Sequence, residues 1–256
     1  MTRTLSSSRN LAWPRPNPRA SMRLFCFPYA GGGTHVYQQW WPSIPGNIEF
    51  CAINLPGRGI RIGETPYYES NRLAKDLADD IAPFLDKPYA FFGHSMGAIV
   101  SFELSRQLRA RSLPLPLHLF VSGCHAPHLP DPHPIHHLPE DEFLNELFSL
   151  GGLPQEILES KELMELILPG IRADFTLIET YPYVEEAPLP IPMTAFGGTD
   201  DPLVDHEMLD GWRIHTANIF ELVNFPGNHF FINTSRDELL ATMMRKLSQI
   251  RAFHGV

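Results

Sequence analysis

Short apolar runs alternate along this chain with longer stretches in which apolar residues recur at helical spacing. The apolar runs predict buried strands over residues 22–28, 50–55, 89–92, 117–123, 192–198 and 219–223. The helical spacing predicts helices over residues 70–84, 96–109 and 236–251. Strands that are apolar throughout and alternate with helices are typical of a parallel sheet covered on both faces, so we expect an α/β fold.

Weaker signals predict helix boundaries and connections. Ser70 or Asn71 is the expected N-cap of the helix over residues 70–84. A short helix over residues 36–41 is expected to stop at Pro42, and a further helix that carries Trp212 is expected to connect the last two strands.

One block departs from the alternation. Residues 139–181 contain no strand pattern but three helical ones, over 140–150, 155–159 and 161–181, the last interrupted at Pro169-Gly170. The block lies between two predicted strands, on the side of the sheet from which functional loops emerge. We therefore expect a helical lid, inserted at about residues 130–185. An insertion that only packs against the sheet is the alternative.

Composition narrows the class of protein. The chain has 256 residues and a formal charge of −9, which argues against a nucleic-acid partner. No apolar run reaches the length of about 18 residues that a membrane span needs, and the N-terminal region lacks the apolar segment of a secretory signal. We expect a cytoplasmic protein with a poorly ordered tail over residues 1–20, rich in Ser, Arg and Pro, and one domain over residues 21–256.

The cysteines and histidines indicate neither a disulfide framework nor a metal centre. Cys26, Cys51 and Cys124 all lie in apolar runs, so we expect buried free thiols. Five histidines, at positions 125, 128, 133, 136 and 137, fall in a proline-rich stretch whose spacing matches no rigid ligand set. We expect a solvated loop there, and neither a metal nor a cofactor.

The most specific chemical signal is Gly-His-Ser-Met-Gly at residues 93–97. It follows an apolar strand and opens a helix, which is the context in which the G-x-S-x-G pattern carries a nucleophile. We expect Ser95 to occupy a strained turn in which Gly93 and Gly97 leave the space that a side chain would fill. An ordinary turn serine is the alternative.

A serine hydroxyl needs a base that is itself oriented by a carboxylate. In this architecture the acid and then the histidine follow the serine, each at the carboxyl end of a strand. His229 follows the last predicted strand and is the expected base. Two acids compete for the orienting role: the Gly-x-x-Asp-Pro spacing favours Asp201, and Asp200 is the alternative.

Backbone N–H groups are the expected donors to an oxyanion. The N–H of Met96 lies at the start of the helix after Ser95, and the glycine-rich loop after the first strand supplies the second donor, for which we select Ala30. As a phosphate-binding loop, residues 28–33 are a weak candidate, because neither a P-loop nor a G-x-G-x-x-G pattern is present.

With these residues in place, the chain resembles the type II thioesterases that accompany modular polyketide and nonribosomal peptide synthetases. The agreeing segments are residues 24–33, 55–59 with Arg61, 93–98, 102–104, 122–123, 126–127, 168–169, 172–174, Tyr181, Trp212 and 229–231. The resemblance covers nearly all of residues 23–247. One departure is Gly227-Asn228-His229, where the family has Gly-Gly-His; because Asn tolerates a left-handed backbone, we expect a small effect on His229.

The resemblance implies an α/β-hydrolase fold with a mobile helical lid, and a triad of Ser95, Asp201 and His229 with Ala30 and Met96 as oxyanion donors. It implies hydrolysis of acyl groups wrongly attached to the phosphopantetheine arm of an acyl or peptidyl carrier protein. We expect a monomer that meets this acidic partner through a local patch, with neither nucleic acid nor membrane as a partner. The expected acyl-pocket side chains from the lid are Leu144, Phe148, Leu163 and Phe175.

Several alternatives stay open at this point. Arg58 and Arg61 either reach the phosphate of the pantetheine arm or stabilise the turn that contains them. The same triad also serves a carboxylesterase or lipase acting on oxoesters, and an acyltransferase that passes the acyl group to an alcohol or amine. A non-catalytic module that only binds the carrier protein is the rival from another class.

Overall fold

The computed structural model describes residues 9–152, 157 and 160–254. Within these residues, seven strands form one sheet: β1 (Leu11–Ala12), β2 (Met22–Phe27), β3 (Ile48–Ile53), β4 (Tyr89–His94), β5 (Leu119–Ser122), β6 (Met193–Gly198) and β7 (Phe220–Phe225). Their order across the sheet is β1-β3-β2-β4-β5-β6-β7. All neighbours pair in parallel except β1, which is antiparallel to β3. The predicted parallel α/β sheet is confirmed.

The helices connect the strands and lie on both faces of the sheet. They are α1 (Ser70–Ile81), α2 (Met96–Ala110), α3 (Glu140–Leu150), α4 (Lys161–Glu179), α5 (His206–Asp210), α6 (Phe231–Thr234) and α7 (Arg236–His254). Short 3-10 helices span Thr34–Tyr37, Trp41–Ser43, Gly59–Arg61, Ala82–Phe84 and Gly211–His215, the last of which carries Trp212. None of the helices in these described ranges is long and apolar enough to cross a lipid bilayer.

Alternating side chains of the central strands build a core on each face of the sheet. Phe25 and Phe27 of β2 point to the face covered by α1 and α2, whereas Leu24 and Cys26 point to the face covered by α7. All six positions of β4 are buried, as expected for a strand with helices on both sides. The three cysteines are buried and free, as predicted.

The insertion between β5 and β6 consists of α3 and α4 in its described part. The two helices pack on each other through Phe143, Leu147, Met164 and Leu168, which form a cluster apart from the two sheet cores. The prediction of α3 is confirmed. That of α4 is wrong in one respect, because the helix runs through Pro169 without interruption. The helix predicted over residues 155–159 falls largely outside the described residues.

Other boundaries also differ from the sequence prediction. The N-cap position of α1 is held by Glu69, with no side-chain capping bond, rather than by Ser70 or Asn71. Pro42 does not end a helix but lies in the first turn of the 3-10 helix Trp41–Ser43, where a missing N–H costs nothing.

Residues 9–20 correct the prediction of a poorly ordered tail up to residue 20. Leu11 pairs with Ile53 and Ala12 with Ala52 at the edge of the sheet. Leu11 is buried, and the ring of Trp13 packs at 5.9 Å from Phe25 and 5.2 Å from Phe84. The signal was missed because a strand of two residues is too short to show a period.

Candidate active site

Ser95 stands on the sharp turn between β4 and α2. Its backbone has φ 52° and ψ −120°, a strained conformation for a residue with a side chain, as the sequence predicted. The turn is possible because its flanks are glycines: a Cβ at Gly93 would lie 2.1 Å from the carbonyl oxygen of Gly97, and one at Gly97 would lie 2.2 Å from that of Phe27. The N–H of Ser95 donates to the carbonyl of Ser122 at 2.7 Å, which attaches the turn to β5.

His229 and Asp201 meet beyond the carboxyl ends of β6 and β7. Nδ1 of His229 lies 2.9 Å from Oδ2 of Asp201, whose carboxyl group is fully buried. The other carboxylate oxygen of Asp201 accepts the N–H of Leu203 at 2.9 Å, which holds its plane. Asp200 is exposed and contacts the neighbouring Thr199 instead. The geometry therefore brings Asp201, and not Asp200, to the imidazole.

The three predicted triad side chains surround one site. Ser95 and His229 line the same cavity of about 130 Å³, together with Ala30. Side chains of Phe175 and Ile178 from α4 form part of its apolar wall. Cys124 also borders the cavity, and burial raises the pKa of its thiol, so it stays protonated and does not compete as a thiolate nucleophile.

His94, which sequence reasoning missed, supports this site from below. Its ring is fully buried, packs 5.0 Å from the ring of His229, and places Nδ1 2.9 Å from Oγ of Ser122. Burial, with a contribution from nearby His229, lowers the pKa of His94 well below its usual range, so the ring is neutral. A Cβ at Gly123 would lie 2.6 Å from His94 Cε1, which explains the glycine there.

Two different segments carry the residues predicted to supply oxyanion donors: Met96 follows Ser95 directly, and Ala30 lines the same cavity as Ser95. The N–H of Met96 is in the first turn of α2, where the helix itself offers no acceptor. Ala30 lies in a turn closed by a hydrogen bond of 2.9 Å from the N–H of Gly32 to the carbonyl of Tyr29. The departure at Asn228 has no backbone consequence, because the left-handed residue is Gly227, at φ 123°.

Comparison with known proteins decides the family. The model of the thioesterase domain matches residues 22–247. The chain belongs to the thioesterase family. It is a hydrolase that acts on thioesters, with the fold of the α/β hydrolases.

Several relatives of this thioesterase are named for peptide or polyketide pathways, and others for fatty acid synthase. The protein named linear gramicidin dehydrogenase LgrE of Brevibacillus parabrevis is 43% identical, in an alignment of 257 positions that covers 98% of each protein. RedJ, a thioesterase of the prodiginine pathway of Streptomyces coelicolor, has a solved structure with a TM-score of 0.83 and 38% identity, covering 90% of this chain and 91% of RedJ. The structure of the type II thioesterase YbtT of the yersiniabactin NRPS/PKS pathway has a TM-score of 0.85 and 31% identity, and the match covers 94% of this chain and 99% of YbtT. The present chain is a type II thioesterase of this kind. LgrE is named a dehydrogenase, but the present chain contains no G-x-G-x-x-G pattern of a dinucleotide-binding site.

In this thioesterase, Arg58 and Arg61 are both occupied by intramolecular contacts. The guanidinium of Arg58 is buried and makes two hydrogen bonds to the carboxylate of Asp174, at 2.7 and 2.6 Å. Arg61 bonds Glu64 at 3.1 and 2.6 Å and the carbonyl of Asn54 at 2.6 Å. Of the two alternatives, these contacts favour the turn-stabilising role over a contact with the pantetheine phosphate.

The insertion supplies fewer pocket side chains than predicted. Of the four candidates, Phe175 lines the cavity beside Ser95, whereas Leu144 and Phe148 line a separate groove formed largely by α3 and α4. Leu163 is exposed on α4. Helical spacing shows which residues share a face, but not which face turns toward the sheet.

The histidine-rich stretch makes separate contacts. Nδ1 of His136 bonds the carboxylate of Glu179, and Nδ1 of His128 lies 2.8 Å from Nε2 of His215. Across the residues that the structure describes, no group of three or more His, Cys, Asp or Glu side chains is arranged to hold a metal ion.

Proposed function

We propose that this thioesterase hydrolyses acyl groups carried as thioesters on the phosphopantetheine arm of a carrier protein, and so clears acyl groups that stall a peptide or polyketide synthetase. The observation that supports the reaction site is the Asp201–His229 pair at the cavity that Ser95 lines. The pathways of the relatives support the choice of carrier-bound substrates.

Acyl transfer to the enzyme is the first half of the reaction. Asp201 accepts the Nδ1–H of His229, which leaves Nε2 as the basic nitrogen. His229 takes the proton of Ser95 as the hydroxyl oxygen attacks the thioester carbonyl. The C–S bond then breaks, and the pantetheine thiol leaves with the proton that His229 had taken. A thiol leaves readily, so this step demands less of the base than amide cleavage does.

Deacylation repeats the chemistry with water. His229 takes a proton from a water molecule that attacks the ester carbonyl on Ser95, and returns that proton to the serine oxygen as the C–O bond breaks. The products are a free carboxylic acid and the starting enzyme. In both halves the negative charge develops on the carbonyl oxygen, where the N–H groups of Ala30 and Met96 stabilise it.

His94 contributes by staying neutral. His229 becomes an imidazolium twice in each turnover, and its ring lies 5.0 Å from that of His94. A second positive charge at this distance, out of contact with water, would oppose that protonation. The burial that lowers the pKa of His94 therefore keeps a second positive charge away from the ring of His229.

One acyl group presented in three forms tests the proposed substrate. An acetyl or propionyl group is offered on a carrier protein, on coenzyme A and as a simple ethyl ester, with Ser95→Ala as the control. We expect kcat/KM to be highest for the carrier-bound thioester and to collapse for all three forms in Ser95→Ala. A preference for the simple ester contradicts the proposal and indicates an esterase. Acyl products on added alcohols or amines would indicate a transferase.

A further inference from the structure

The loop that carries Ala30 is a tight turn whose middle peptide is held from outside. The N–H of Gly32 bonds the carbonyl of Tyr29 at 2.9 Å, and Gly31 has φ 74°. A left-handed third residue is the mark of a type II β-turn. Turns of types I and II differ by a flip of the peptide between their second and third residues, which here joins Ala30 to Gly31. The Ala30 N–H belongs to the preceding peptide, whose carbonyl, that of Tyr29, accepts the Gly32 N–H. The turn hydrogen bond therefore fixes the direction of the Ala30 N–H, and it forms only while the central peptide keeps the type II orientation.

Asp174 of α4 forms a hydrogen bond to this peptide. Its Oδ2 accepts the N–H of Gly31 at 2.7 Å. The same carboxylate receives both Nη atoms of Arg58, and Nη1 of Arg58 also donates to the carbonyl of Gly32 at 2.9 Å. The ion pair thus holds the turn at an N–H and at a carbonyl. Asp174 is 2% exposed and Arg58 is 8% exposed, so water does not substitute for either partner.

Close packing keeps α4 against the turn. A Cβ at Gly170 would lie 2.5 Å from the carbonyl oxygen of Gly57, so the helix approaches the loop that carries Arg58 at backbone distance. The next residue of α4, Ile171, packs its side chain against Gly31, at 3.2 Å from the position of a Cβ there. A shift of α4 away from the sheet would separate Asp174 from the N–H of Gly31.

We propose that Asp174 is a positioning residue for thioester hydrolysis. It holds the central peptide of the 29–32 turn, which keeps the Gly32 N–H on the carbonyl of Tyr29 and so directs the N–H of the same Tyr29–Ala30 peptide at the oxyanion. This geometry depends on the position of α4 against the turn. The inference rests on the proposed function, in which Ala30 is an oxyanion donor. The negative charge of Asp174 is also needed, because without it the buried guanidinium of Arg58 would lose its ion-pair partner and would form hydrogen bonds to other acceptors.

Two substitutions separate the acceptor from the charge. Asp174→Asn keeps one oxygen that accepts the Gly31 N–H but loses the charge and one of the two acceptor oxygens for Arg58. Asp174→Ala removes the acceptor for Gly31 and the ion pair with Arg58. Glu49→Gln and Glu49→Ala are the matched controls, because Glu49 forms a buried ion pair with Arg23 at 2.9 Å near the opposite, amino-terminal ends of β2 and β3.

We expect kcat to fall about tenfold in Asp174→Asn and about a hundredfold in Asp174→Ala, with KM within about twofold, since removal of a whole oxyanion donor costs roughly 10² to 10³. Inhibition by a short alkylboronic acid, which forms a tetrahedral adduct on the serine, is expected to weaken by the same factors. The Gly31 amide is expected to exchange with deuterium faster in both variants. The Glu49 controls are expected to lower the melting temperature and leave kcat unchanged.

Two outcomes overturn the inference. One is a kcat in both Asp174 variants equal to that of the Glu49 controls, which would make the ion pair purely structural. The other is a reduced kcat with unaltered boronic acid inhibition. If Asp174→Ala does not fold, Asp174→Asn decides alone. Either outcome leaves the proposed function standing, whereas full activity in Ser95→Ala would remove the proposed function itself.

Discussion

Nδ1 of His229 lies 2.9 Å from Oδ2 of Asp201, and the neighbouring Asp200 is exposed to solvent. Two adjacent aspartates therefore have opposite environments, and only one of them orients the base. We expect Asp201→Asn to lower kcat by roughly 10³- to 10⁴-fold, because an amide in this position favours the wrong tautomer of the imidazole. Steady-state hydrolysis of an acyl thioester measures the effect.

Asp200→Asn is the matched control for this prediction. It makes the same chemical change one residue away, on a side chain whose contact is with Thr199. We expect its kcat to stay within about twofold of the unsubstituted enzyme. Equal losses in the two variants would show that the loop, and not the Asp201–His229 hydrogen bond, carries the effect.

Gly97 tests the steric basis of the turn at Ser95. In an ordinary helix, replacing Gly with Ala stabilises the protein by up to about 1 kcal/mol. Here the new Cβ would meet the carbonyl oxygen of Phe27 at 2.2 Å, and neither backbone can move without disturbing the sheet. We expect Gly97→Ala to lower the free energy of unfolding by about 3 kcal/mol or more, measured by urea denaturation.

Gly46 provides the comparison for Gly97. In the described part of the chain, apart from the two adjoining residues, no atom lies within 4 Å of a Cβ placed there. Gly46→Ala is expected to change the free energy of unfolding by less than about 0.5 kcal/mol. A Gly97→Ala protein as stable as Gly46→Ala would mean that the turn has more room than the structure shows.

His118 predicts how stability depends on pH. It is buried under Phe120, 2.8 Å from Oγ1 of Thr194, and burial, with a smaller contribution from Lys246, lowers its pKa to about 3. Below about pH 6.5 the unfolded chain binds a proton at this histidine and the folded protein does not. The free energy of unfolding therefore decreases as the pH is lowered from about 6.5 to 3. Between pH 7.5 and 5 the loss is about 2 kcal/mol.

His118→Phe isolates this contribution. The phenyl ring fills a similar space and does not titrate, so the variant is expected to lose about 2 kcal/mol less than the unsubstituted protein between pH 7.5 and 5. His206→Gln, at an exposed position, is the control and is expected to keep the original slope. Urea denaturation at the two pH values gives both numbers. Identical slopes for all three proteins would contradict a neutral, buried His118.

The features that the sequence predicted correctly have local signals. The strands of the sheet are continuous apolar runs, and the strained turn at Ser95 requires the glycines at positions 93 and 97. Because the carboxyl ends of parallel strands meet at one edge of the sheet, an acid after β6 and a histidine after β7 are expected to lie close together. The spacing favoured Asp201 over Asp200, and the hydrogen bond to His229 selects Asp201.

The features that the sequence did not predict depend on contacts between distant segments. Arg58 and Asp174 lie far apart in the chain, and neither residue alone indicates that the two form a clamp on the Gly31 peptide. His94 is the variable position of its motif. The contacts of its ring, with Ser122 at the end of β5 and with His229, form only in the folded protein. Pro169 breaks a helix by rule, but packing of α4 on its neighbours outweighs the one lost hydrogen bond.

Site-resolved labelling with a fluorophosphonate tests the central claim most directly, since it asks whether the hydroxyl of Ser95 is the activated nucleophile. Mass spectrometry of the digested protein is expected to show one adduct, on Ser95, formed in step with the loss of thioesterase activity, slowed by an acyl thioester and absent from Ser95→Ala. An adduct on another residue, or hydrolysis that continues after Ser95 is fully labelled, would contradict the account.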